Sequence, residues 1–190
     1  MSGGLIEGAG VTEELEAKLR ALIDRQEIHD LLLRYARGLD RQDAEMVRAC
    51  YWDDAVDDHH TFVGRPGPFV DWAIETTSHC AVQHHGVTNH LVELHGDDAH
   101  GESYYTFIGT FAQAPHMMSI GRYVEHYQRR GGVWKIANRV CVVEKLFALQ
   151  DLGDGTSEEG DLTWGALVPA TRDRDDLSYQ RPVKPRQPLD

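Results

Sequence analysis

AVQHHGVTNHLVELHGDDAHGESYYTFIGTFAQAPHMMSIGRYVEHYQRRGGVWKIANRVCVVEKLF, residues 81–147, is the stretch that decides the fold. Apolar and polar side chains alternate with a period of two over four runs, Ala81–Leu94, His100–Phe111, Met117–Gln128 and Val133–Phe147. That is the pattern of strands with two unlike faces. His95-Gly96-Asp97-Asp98, Gln113-Ala114-Pro115 and Arg130-Gly131-Gly132 separate the runs. The last two breaks are short enough for hairpin loops, so the four runs read as an antiparallel meander. Gly101, Gly109 and Gly121 fall inside strands, where glycine marks a bulge or a bend.

Upstream the period changes. Leu15, Leu19, Leu22 and Ile23, then Leu32, Tyr35, Ala36 and Leu39, recur at spacings of three and four. This predicts a helix from Thr12, its N-cap, to about Leu39. A short second helix follows over 43–50, with Asp43 as cap. Tyr51 to Phe62 reads as an acidic turn and a short strand, and Gly64-Arg65-Pro66-Gly67-Pro68 as a loop. Phe69, Val70, Ala73 and Ile74 predict a third helix to about Ser78. Helices first and a meander after argue for an α+β fold, in which about three helices pack on one face of a curved antiparallel sheet. Such a sheet, bent and closed by the helices, makes a cone with a deep pocket. Residues 12–150 form the domain. Residues 1–11, rich in glycine, are expected to be a flexible N-terminus. Residues 151–190, with Pro169, Pro182, Pro185 and Pro188, are expected to be an irregular tail, disordered over its last ten residues.

A chain of 190 residues has room for one domain and a tail. Its net charge of −12 comes with no basic stripe, which excludes nucleic acid as a partner and disfavours an anionic membrane surface. No run approaches the length of a membrane span. Cys50, Cys80 and Cys141 are far apart and include no CxxC, the usage of reduced thiols in a cytosol. MSGGLIEGAG at the N-terminus has neither a basic region nor a long apolar run, so it does not read as a signal peptide. The expected location is cytoplasmic.

Eleven histidines raise the question of a metal. His59-His60 and His84-His85 are adjacent pairs, and neighbours on a strand point to opposite faces, so neither pair is expected to converge on one ion. No metal and no cofactor are expected. His85 shares its strand face with Val87, Asn89 and Leu91 by strict alternation. On pattern alone it reads first as a buried histidine satisfied by a backbone carbonyl. Asp40 closes the first helix, in RYARGLDRQD, where the helix macrodipole disfavours a carboxylate. A plain turn aspartate accounts for it, and so does a local partner.

Three stretches carry a more specific signal: DRQEIHDLLLRYARGLDRQDAEMVRACYWDDAVDDH (24–59), HHGVTNHLVELHGDDAHGESYY (84–105) and GRYVEHYQRRGGVWKIANR (121–139). Their markers are Tyr35-x4-Asp40 at a helix end, Trp52-Asp53-Asp54-Ala55 after the second helix, His85-x3-Asn89 opening a strand, and Trp134-Lys135-Ile136-x2-Arg139 in the last strand. In this order, over about residues 20–148, the chain resembles the SnoaL-like domain family of the nuclear transport factor 2-like superfamily. Its branches include scytalone dehydratase, bile-acid 7α-dehydratase and hexachlorocyclohexane dehydrochlorinase.

The resemblance implies an Asp–His dyad that removes a proton, with Asp40 and His85 in those places. It implies substrate contacts from Tyr35, where the dehydrochlorinase has a lysine, and from Arg139. A tyrosine of the bile-acid enzyme falls near His59, a departure. Strict alternation puts Arg139 opposite Trp134 and Ile136, so it faces the core only if the strand bulges. The remaining candidates for substrate binding are His59, Trp52, Phe62, Asn89, Tyr105, Met118 and Tyr123, with Phe107 and Phe147 further apolar wall. The implied activity is a cofactor-free lyase acting on a hydrophobic, aromatic or polycyclic small molecule. It would work by dehydration, or by loss of formaldehyde or halide, in a homo-oligomer, with a trimer favoured. An isomerase, hydrolase or cyclase on the same pocket is the first alternative, and a non-catalytic small subunit or binding module the second.

Overall fold

The computed structural model describes residues 12–150 and 170–185; the expectations for 1–11, 151–169 and 186–190 lie outside them. Helix α1 runs over Glu13–Asp40 and α2 over Ala44–Ala49. Strands β1 (Tyr51–His59) and β2 (Phe62–Gly64) precede α3 (Pro66–Thr77). Four long strands follow: β3 (Val82–His95), β4 (Asp98–Thr110), β5 (His116–Arg130) and β6 (Val133–Leu149). The sheet order is β2-β1-β6-β5-β4-β3, antiparallel except where β1 runs parallel to β6. This is the α+β architecture with helices on one face of a curved, unclosed sheet.

Local chemistry sets the helix ends. Thr12 accepts a hydrogen bond from the Leu15 N–H at 3.3 Å, and Asp43 accepts one from Met46 at 3.1 Å, so both side chains satisfy donors that a helix leaves unpaired. α3 starts earlier than its apolar spacing predicts. Pro66 occupies its first turn, where the missing N–H costs nothing and the fixed φ suits a helix. β1 is also longer than the short strand read from the sequence. Its acidic residues Asp53 and Asp54 point to solvent while Tyr51, Ala55 and Asp57 are buried. No helix among the described residues is long and apolar enough to cross a membrane.

Bulges set the direction of the side chains that matter. Thr88 pairs with Tyr104 but Leu91 with Glu102, so β3 carries one extra residue between them. Asn89 stands there at φ 49°. The strand face flips at that point. Gln83, His85 and Val87 face the helices before it, and Val92 after it, while Asn89 is exposed. In β6 His126 pairs with Asn138 and Tyr127 with Ile136, so Ala137 is extra. That bulge allows Trp134, Ile136, Arg139 and Cys141 all to be buried. A further shift, Ile120 with Lys145 and Gly121 with Val143, makes Glu144 extra.

Gly121 at this last shift is required by space. A Cβ there would stand 2.0 Å from the Val142 carbonyl oxygen and 2.9 Å from the Tyr105 hydroxyl. Backbone cannot yield as a flexible side chain does. Gly121→Ala is therefore expected to cost about 3 kcal/mol, read as a lower urea midpoint; an unchanged midpoint would contradict the packing described.

Candidate functional site

The core between α1, α3 and the sheet is not filled to its open end. A cavity of about 450 Å³ remains, lined mainly by apolar and aromatic side chains. Leu39, Phe69, Trp72, Phe107, Met117 and Leu146 supply the greasy wall. Tyr35, His59, His60, Gln83, His85 and Ser119 supply the polar points. The size is that of a small-molecule site.

Asp40 and His85 meet on this wall. α1 ends at Asp40, and β3 passes beside it. One carboxylate oxygen lies 2.6 Å from His85 Nδ1, and the other accepts the His85 backbone N–H at 3.0 Å. The carboxylate at the wrong end of a helix thus has its local reason. Both side chains are largely buried. The His85 ring packs against Phe107 at a centroid distance of 5.0 Å. With Nδ1 engaged by Asp40, Nε2 is the nitrogen left for a substrate.

Tyr35 lines the same cavity, and its hydroxyl is buried with no hydrogen-bond partner among the described residues. Burial pushes that hydroxyl far above the usual tyrosine range, with Arg139 opposing in part. It is therefore a neutral O–H donor, buried in the cavity wall without a partner of its own. Tyr105 and Tyr123 stack at 4.7 Å, and Tyr105 shares a 3.1 Å hydrogen bond with Ser119. Burial raises both tyrosines as well.

Arg139 stands one layer behind the wall. Its guanidinium is fully buried and does not line the cavity. It packs over the Tyr35 ring at 3.7 Å and the Tyr123 ring at 4.6 Å, arrangements that suit a cation on an aromatic face. Nε donates to Glu125 at 2.8 Å, Nη2 donates to the same oxygen, and Nη1 donates to the Tyr51 hydroxyl at 3.0 Å. Tyr51 donates in turn to Asp57 at 2.6 Å, and Asp57 lies 3.1 Å from His59 Nδ1. A buried polar chain thus runs from Glu125 to the cavity wall at His59.

The other candidates divide. His59, Tyr105, Tyr123 and Phe107 line the cavity. Phe62 does not, but stacks on Trp72, which does. Trp52 is turned to the far end of the sheet, where its indole N–H donates to the Gln128 carbonyl at 2.9 Å. Met118 and Phe147 are paired across the sheet and are also outside the lining, whereas Met117 and Leu146 are in it. Asn89 is carried out by its bulge.

Sequence reading missed Arg172. From the C-terminal segment it donates to the carbonyls of Thr77 at 3.0 Å and Cys80 at 2.6 Å, and to the Gln83 side chain. It thereby ties the chain beyond the domain to the rim of the cavity. Ser178 and Tyr179 extend the attachment: Arg37 donates to Ser178 at 3.2 Å and lies over the Tyr179 ring at 4.6 Å. A lone arginine in an irregular, proline-rich tail has no periodic signature to reveal it.

The family profile of the SnoaL-like domain matches residues 20–140. No curated protein matches the chain. Among solved structures, a hexachlorocyclohexane dehydrochlorinase (LinA) type 2 superposes with TM-score 0.65 at 22% identity, over 70% of this chain and 93% of that one. The type 3 enzyme from Novosphingobium barchaimii gives TM-score 0.64 at 20% identity, over 70% and 94%. A protein from Novosphingobium aromaticivorans, proposed to be a scytalone dehydratase, gives TM-score 0.63 at 16% identity, over 69% and 91%. At these identities the likeness is one of fold.

Proposed function

The chain belongs to the SnoaL-like domain family, and from that premise we propose that it is a cofactor-independent lyase acting by base-catalysed elimination, with His85 as the base. The observation that carries this reading is the 2.6 Å contact of Asp40 with His85 Nδ1 on the wall of an apolar cavity.

His85 Nε2 takes a proton from a carbon next to the leaving group, and the C–H electron pair becomes the new double bond as that group departs. Asp40 stabilises the imidazolium that forms and holds the ring in the tautomer with Nε2 free. The Tyr35 hydroxyl donates a hydrogen bond where negative charge develops, on a hydroxyl, a halide or an enolate oxygen. Arg139 acts through Tyr35 and Tyr123 as a positioning residue, since it does not line the cavity and its guanidinium is held by Glu125 and Tyr51. The cavity's size and aromatic wall support a small hydrophobic substrate, aromatic or polycyclic. A screen of aromatic and steroid alcohols and halides tests the reading, followed by absorbance of a new conjugated double bond. Products formed by hydrolysis or cyclisation, with no new alkene, would refute elimination.

We also propose a homo-oligomer, a trimer in its favoured form. In the first half of α1, Leu22 is 63% exposed and Ile23 55%, with Leu15 and Leu19 beside them at helical spacing. Such an apolar stripe is more than a lone surface leucine, and burying it against a second copy is favourable. Light scattering at micromolar concentration should give a multiple of the 21.4 kDa chain mass; a monomer mass would contradict it.

A further inference from the structure

We propose that His59, His60 and Cys141 form a binding site for a divalent metal ion of the zinc class on the cavity wall. The proposal stands apart from the role given to His85 and does not depend on it.

Alternation along a strand predicts that the rings of His59 and His60 diverge, but the chain does not continue as a strand. His60 opens the two-residue turn between β1 and β2 and takes φ 60°, a left-handed conformation rare for a residue other than glycine. The turn brings the two rings to one side, with centroids 5.2 Å apart. Cys141 arrives from β6. That strand runs parallel to β1, with Asp57 opposite Arg139 and Asp58 opposite Val140, so Cys141 falls level with His59. The bulge at Ala137 turns Cys141 inward.

One ligand atom of each residue lies within 4.8 Å of the others, and His60 Nε2 is 3.5 Å from Cys141 Sγ. Zinc bonds of about 2.0 Å to nitrogen and 2.3 Å to sulfur, at the tetrahedral angle, span about 3.5 Å between the ligand atoms. That pair therefore already stands at the edge length of a zinc tetrahedron. The longest separation must close by about 1–1.5 Å, within the reach of side-chain rotation at a turn.

The surroundings favour an ion. Asp57, fully buried, engages His59 Nδ1. This is the carboxylate–histidine arrangement that orients metal-bound imidazoles, and it leaves the Nε2 lone pair free. Asp57 also accepts from the Tyr51 hydroxyl at 2.6 Å, which fixes its carboxyl behind the His59 ring as a support for a cation bound beyond it. On binding, the Cys141 S–H gives its proton to water as the sulfur–metal bond forms. Three protein ligands leave a fourth position. His59 and His60 line the cavity, so that position opens toward it and would be completed by water or by an oxygen or nitrogen donor on a bound small molecule.

The test uses the full chain, stripped with a chelator and titrated with Zn²⁺ against a chromophoric competitor, then with Co²⁺ followed by absorption. One ion per chain is expected, with a thiolate-to-cobalt charge-transfer band. Cys141→Ser should abolish the band. His60→Gly should weaken zinc binding by about 100-fold or more. Glycine suits the left-handed φ, so its loss of binding cannot be laid to unfolding. His84→Ala, at an exposed histidine outside the cluster, should bind as wild type. Absence of one-to-one binding at micromolar zinc would overturn the site and leave the three residues as cavity wall only. A cobalt–thiolate band that survives Cys141→Ser, or wild-type affinity in His60→Gly, would overturn it equally.

Discussion

His85→Ala is expected to turn over substrate about 10²–10⁴-fold more slowly than wild type while melting close to it. The side chain lines a cavity, so removing it opens little new space in the core. Asp40 also keeps one partner, because its second oxygen holds the residue 85 backbone N–H at 3.0 Å whatever side chain stands there. Asp40→Asn should lower turnover by a similar factor for a different reason. An amide has one acceptor and one donor end. If its oxygen takes the fixed backbone N–H, its NH2 faces His85 Nδ1, which must then accept. The ring proton moves to Nε2, and the base is lost. Because the two residues act as one unit, the double variant should be little slower than the slower single. Tyr35→Phe should cost less, since it removes one hydrogen bond and leaves the base in place. Near-full turnover by a folded His85→Ala protein would reduce His85 to a wall residue.

The largest effect on stability is expected at Arg139. Its ion pair with Glu125 has both side chains fully buried, and Tyr127 donates to the same carboxylate. Arg139→Met leaves Glu125 charged with no cation beside it. Breaking a buried pair in this way costs about 3–5 kcal/mol, or a fall in Tm of roughly 10–15 °C for a domain of this size. Replacing both partners, as Arg139→Met with Glu125→Leu, should recover part of the loss. The uncompensated charge is then gone, although the Tyr127 hydroxyl is left without its acceptor. Calorimetry of the single and double variants separates the two contributions. An unmoved Tm in Arg139→Met would mean that the pair does not stand as described.

How much of this was legible in the sequence depends on whether a local pattern carried it. The four long strands announce themselves by alternation, and α1 and α2 by spacing and caps. The meeting of Asp40 with His85 could be expected only from the order of several short motifs, because residues 45 positions apart share no periodicity. Alternation failed where the sheet bulges. Asn89 was read onto the face of His85, and Arg139 stood on the wrong face unless β6 bulged. Single extra residues near Asn89 and at Ala137 reverse each count. Bulges leave little trace in composition, since neither Asn89 nor Ala137 is a glycine. The same limit hid the convergence of His59 and His60, which depends on one positive φ. The start of α3 was hidden by Pro66, which reads as a loop residue and serves as a helix start.

The tautomer of His85 tests the central claim most directly, and it requires no substrate. Nitrogen-15 NMR of the histidine ring, at a pH where the ring is neutral, distinguishes a protonated from an unprotonated nitrogen. A base held by Asp40 predicts the proton on Nδ1 and the lone pair on Nε2 in the wild type, and a shift of the proton toward Nε2 in Asp40→Asn. A wild-type ring with its proton on Nε2 would make His85 a donor rather than a base and would contradict the account.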